Sequence, residues 1–196
     1  MKSKLILSGL VAVALSFTAC NKGVTEETNA SIATFEAGWT ETGNMAANWS
    51  NDLTTTYTKC KEHITNQTNM MTTMPDKMKK DQTMMTKLTE LDNADKANLT
   101  ALEGMTNEWN TFKTNWDQMS ADYNTWKEKV TKGEVTNEEA VASMTEWNTK
   151  LENAKTQLNT WNTAFTSTKE STENTMAECD KMMSPPTPST PPNKTK

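Results

Sequence analysis

Methionine carries most of the chemistry open to this chain. Met70, Met71, Met74, Met78, Met84 and Met85 crowd a short stretch of sequence, and Met182 and Met183 lie far downstream. Thioethers are soft donors suited to Cu(I), and they are also adaptable apolar filler for cores and contact surfaces. Met70 and Met71 are adjacent and cannot both face one helical seam, so part of the cluster is expected at the surface. The six are therefore read first as a partner-binding surface and second as a copper site. His63 is the single histidine, and no other metal set is expected. No glycine-rich loop precedes a helix, and no serine sits in a nucleophile motif. The carboxylates scatter over helix surfaces, so no catalytic residue, cofactor or small-molecule substrate is expected, and the chain does not read as an enzyme. All 20 basic residues are lysine and the net charge is −5. Without the arginine fork that grips phosphates and base edges, a nucleic-acid partner is not expected either.

These side chains must be positioned by helices. Trp109, Phe112, Trp116, Met119, Tyr123, Trp126 and Val130 follow at alternating spacings of three and four, an uninterrupted heptad seam. So aromatic a stripe demands cover from other helices. Ile32, Phe35, Trp39, Thr42, Ala46, Trp49, Leu53, Thr56 and Cys60 form a second seam. Trp147, Leu151, Ala154, Leu158, Trp161, Phe165, Thr168, Thr172, Thr175 and Cys179 form a third. Start and stop signals set the limits. Thr25 with Glu26 and Glu27 opens the first helix, Met74-Pro75-Asp76 separates it from the second, Lys132-Gly133 ends the second, and Thr136 with Glu139 makes a capping box for the third. Helices are thus predicted over about 25–72, 75–132 and 137–183. A mean hydropathy of −0.77 with 7 tryptophans in register fits an all-α, elongated, antiparallel up-down-up three-helix bundle, coiled-coil-like, spanning 25–183.

Turns centred near residues 74 and 135 would make facing residue numbers total about 148 between the first two helices and about 270 between the last two. Trp39, Trp109 and Trp161 then share one layer, and Phe35, Phe112 and Leu158 the next. The same rule ends the third helix near the level of residue 60, leaving a two-helix, methionine-rich hairpin tip beyond it. It also carries Cys60 to within about three residues, or roughly 4.5 Å along the axis, of Cys179. Both cysteines lie on buried phases, and a disulfide between Cys60 and Cys179 is expected on that register.

The first residues carry an address. Lys2 and Lys4 precede an apolar run from Leu5 to Leu15, too short to span a bilayer, followed by small and polar residues up to Cys20. Ser16-Phe17-Thr18-Ala19-Cys20 resembles the lipobox of bacterial lipoproteins, with Phe17 where that family usually has leucine. The resemblance covers the leader alone. It implies a signal peptide over 1–19, acylation of Cys20, a lipidated tether over 20–24 and residence in the cell envelope. Asn21 in place of aspartate implies the outer membrane. Residues 184–196, with Pro185, Pro186, Pro188, Pro191 and Pro192, are predicted to be an extended disordered tail. The expected role is a spacer or protein-interaction module with an envelope protein as partner. The alternatives are a Cu(I)-binding lipoprotein or an envelope tie joined to peptidoglycan through Lys196, the latter by weak resemblance to the small lipoprotein that makes such a link.

Acylation of Cys20 predicts that the chain partitions into the detergent phase and that Cys20→Ser is soluble or remains unprocessed. Soluble wild-type protein beginning at another residue contradicts the assignment.

Overall fold

A computed structural model describes residues 23–183. The leader over 1–19, Cys20 with the first tether residues, and the segment 184–196 lie outside the described residues. Three long helices, α1 (Glu26–Thr73), α3 (Gln82–Lys132) and α4 (Asn137–Met183), pack against one another, and a single helical turn, α2 (Asp76–Lys79), stands between the first two. Among the described residues no helix is long and apolar enough to cross a membrane.

Local chemistry sets these limits. Thr25 caps α1 by accepting the Thr28 N–H, and Asn137 Oδ1 accepts both the Thr25 N–H and the Thr28 hydroxyl, joining the starts of α1 and α4. Pro75 at φ −58° opens α2. Lys79 then reaches back to the Thr72 carbonyl at 2.8 Å, satisfying an acceptor that the end of α1 leaves open. Asp81 starts α3 by accepting the Met84 N–H at 3.0 Å. At the other turn Gly133, φ 75°, takes the left-handed position, with Gly133 N–H bonded to Val130 O and Glu134 N–H to Lys129 O, the paired bonds of a Schellman cap. The predicted capping box forms as well: Glu139 accepts the Thr136 N–H at 2.9 Å and Thr136 accepts the Glu139 N–H at 3.3 Å. The abundant threonines are accommodated by back-bonding, as when Thr34, Thr54 and Thr149 donate to the carbonyls four residues before them.

The chain forms two compact units. Unit 1 comprises residues 23–55 with Leu102–Ser167, and unit 2 comprises Thr56–Ala101 with 168–183.

Unit 1 is held by aromatic rings. Trp39 stacks on Trp116 at 3.9 Å between centroids and Phe35 meets Tyr123 at 4.7 Å. Trp49 stacks on Trp161 at 5.3 Å, while Phe112 meets Trp161 and Trp147 meets Tyr123 edge-on, each at 5.4 Å. A carboxylate sits among them: Glu36 is only 2% exposed, accepts the Tyr123 hydroxyl at 3.1 Å and pairs with the Lys127 ammonium. Burial, then the adjacent carboxylate, push the Tyr123 phenol far up, so it stays protonated and donates. The α1 backbone also runs close to α4 at Gly38, where a Cβ would lie 3.1 Å from Leu151 Cδ2.

Two expectations are corrected by the register. Facing residues of α1 and α3 total about 155 to 159, so Trp39 meets Trp116 and Trp109 meets Trp49, about one heptad away from the predicted layers. The second helix was predicted to begin at 75. Instead α2 and the Lys80-Asp81 break delay α3 to Gln82 and move the centre of the connection towards residue 78. The α3–α4 register is close to the predicted one, with Tyr123 opposite Trp147.

In unit 2 the same contacts rule out the expected bridge. Cys60 and Cys179 are both free, buried thiols. Cys60 Sγ faces the Asp95 carbonyl oxygen at 3.6 Å, and the Asp95 carboxylate accepts from Thr175. Cys60 thus lies level with Thr175, leaving Cys179 about 6 Å farther along the axis before any lateral gap is added, too far for a disulfide. Burial pushes both thiols up to about 11, in the direction of inertness. A maleimide should therefore leave Cys60 and Cys179 untouched in the folded chain and label both on unfolding without reductant. Labelling that requires reductant would show a bridge and contradict the register.

Candidate functional site

Cys20 lies outside the described residues; the predicted methionines, with Cys60 and Cys179, all fall in unit 2, where the methionines separate into two groups. Met74 is buried with Leu88, Leu91 and Cys179, and Met71, Met84, Met85, Met182 and Met183 pack against that cluster. Six of the methionines thus fill a core, the adaptable role of an unbranched thioether. Met70 and Met78 remain at the surface, 37% and 36% exposed. The two-helix tip expected beyond the end of α4 is corrected here. The tip is shorter than predicted because α3 starts at Gln82 rather than 75 and α1 is shifted by a heptad against it, so Met182 and Met183 at the end of α4 pack against the Met74 cluster.

Above that apolar cluster lies a polar layer. Asp92 and Asp95 fall on the inward face of α3, which stays helical through both. Asp95, with a fully buried side chain, accepts the Thr175 hydroxyl through Oδ1 and lies 3.4 Å from His63 Nε2 through Oδ2. Asp92 pairs with Lys96 at 2.5 Å. Gln67, also fully buried, donates to the Leu88 carbonyl at 3.3 Å. These groups link α1 to α3 and α3 to α4. The layer could be anticipated only from the phase of Asp92 and Asp95. His63 and Gln67 carry no local signal of their inward partners.

The layer opens on a groove of about 560 Å3 in which His63, Asn66 and Met70 of α1 face Met176 and Asp180 of α4. Its wall includes the His63 ring, whose Nε2 is turned inward and lacks a well-formed hydrogen bond, as does Asp95 Oδ2. Chemically the groove offers an imidazole, two thioethers, two amides, the carboxylates of Glu62 and Asp180 and the Lys59 ammonium. Cys60 lies deeper, protonated and without the electropositive surroundings of a nucleophile.

Burial pushes the Asp95 carboxyl up, with the Thr175 hydrogen bond and the neighbouring His63 opposing that shift. A carboxylic acid that titrates higher when folded than when unfolded binds its proton more tightly in the native state. Its contribution to stability therefore rises as pH falls through the raised value, and levels off below the ordinary carboxylate range of about 4. Asp95→Asn keeps the acceptor for Thr175 and removes the buried charge. It should raise the urea midpoint at neutral pH and flatten this part of the pH–stability curve, whereas a large loss of stability at neutral pH would show that the ionised pair holds unit 2 together.

No protein-family model matches the chain, and neither a curated protein nor a solved structure matches it.

Proposed function

We propose that this chain is a non-catalytic, lipid-anchored protein of the bacterial cell envelope, held at the outer membrane through Cys20, that serves as a helical spacer and protein-interaction module. The observation that supports this reading is where the buried polar groups are used. Glu36 ties α1 to α3 through Tyr123 and Lys127, Asn137 ties α4 to α1, Gln67 ties α1 to α3, and Asp95 ties α3 to α4. Chemistry of this kind holds helices together and presents a surface. The lipobox-like leader supplies the anchor, and the exposed thioethers of Met70 and Met78 supply an adaptable contact point for an envelope partner. Copper binding by the methionine cluster ranks second, because Met71, Met74, Met84 and Met85 pack among Leu88, Leu91 and Cys179 as apolar filler.

Capture from solubilised membranes tests the proposal. The wild-type chain should retain a specific envelope protein, and Met70→Gln with Met78→Gln should lose it while stability changes by no more than about 0.5 kcal/mol per exposed substitution. Retention of the same partner by the double variant would remove the methionines from the interaction surface.

A further inference from the structure

The groove of unit 2 contains an arrangement that neither the spacer role nor the methionine cluster uses. His63 has two ring nitrogens, and Nε2 is buried towards Asp95 Oδ2 at 3.4 Å. Asp95 is fully buried and its other oxygen is occupied by Thr175. A buried carboxylate behind an imidazole directs the ring proton to the inner nitrogen and leaves the lone pair on the outer one, Nδ1. Because His63 borders the groove, Nδ1 is the nitrogen available to a ligand there. Across from it stands Met176, the residue after Thr175, so a single carboxylate braces both the imidazole and the turn of α4 that carries the thioether.

One imidazole nitrogen with one thioether is a soft, low-coordinate donor set. It suits a d10 monovalent ion, whereas zinc takes four ligands drawn from thiolate, imidazole and carboxylate. Among the described residues no three histidine, cysteine, aspartate or glutamate side chains meet in a metal-holding group. We propose that this groove binds Cu(I) or Ag(I) through His63 Nδ1 and the Met176 sulfur, with Asp95 as the positioning residue. The site is separate from the packed cluster around Met74, and it does not depend on the spacer reading.

Titration of the full chain carrying Cys20→Ser with Ag(I), and with Cu(I) against a competing chelator, tests this assignment. One equivalent should bind. His63→Gln and Met176→Leu should each weaken affinity at least about tenfold, and Asp95→Asn, which touches no ion, should weaken it about 10- to 100-fold. Met84→Leu, a change in the packed cluster, should leave affinity unchanged. Circular dichroism checks that each variant keeps its helices, and His63→Asn and Met176→Gln, both at partly buried positions, stand in if one of the others unfolds. Absence of binding overturns the proposal. So does affinity that survives His63→Gln and Met176→Leu together, or that disappears only when Cys60, Cys179 or Met84 is replaced.

Discussion

The buried Glu36 carboxylate, held by Tyr123 and Lys127, fixes which turn of α1 meets which turn of α3, the alignment in which Trp39 stacks on Trp116 at 3.9 Å between centroids. In a seam that repeats every seven residues, sliding one helix past the other by a heptad keeps every apolar position facing inward. Hydrophobic burial alone therefore distinguishes poorly between neighbouring registers. Something else must select one, and in unit 1 that selection falls to a buried charge. Glu36 finds Tyr123 and Lys127 opposite it. Slid by a heptad, it would face Trp116 and Ser120 instead, and an unpaired carboxylate in that interior would cost several kcal/mol.

Unit 2 uses the same device with different residues. Asp95 accepts from Thr175 and lies beside His63, and Gln67 reaches the Leu88 carbonyl. A heptad slip would strip Asp95 of its side-chain partners and leave a buried carboxylate unsatisfied, whereas Gln67, bonded to a backbone carbonyl, would meet another one. These groups contribute less to net stability than apolar residues of the same volume would, yet they make one alignment of otherwise interchangeable heptads the favoured one. The methionines alongside can tolerate imprecise packing because the polar layer sets the alignment.

Much of this was legible in the residues. The three seams, the Thr136–Glu139 capping box and the glycine stop at Gly133 depend on local spacing and backbone preference, which the sequence displays directly. The register did not, because it depends on the conformation of a few residues in one connection. Pro75 begins a helical turn in either reading, and only the break at Lys80-Asp81, with Asp81 capping α3, separates that turn from the long helix. A shift that small moved every α1–α3 pairing by a heptad, which is why Cys60 and Cys179 looked like partners and are not. The buried roles of Glu36, His63 and Asp95 were hidden for a related reason, since a charged residue on a helix declares its partner only once the neighbouring helix is placed. The methionines were legible as a group, but their division into core and surface followed from the same shift in the connection between α1 and α3.

Nuclear Overhauser contacts among the unit 1 rings test the register most directly. The account predicts cross-peaks between the Trp39 and Trp116 indoles and between Phe35 and Tyr123. Cross-peaks linking Trp39 to Trp109 and Phe35 to Phe112, with none to Trp116 or Tyr123, would contradict it.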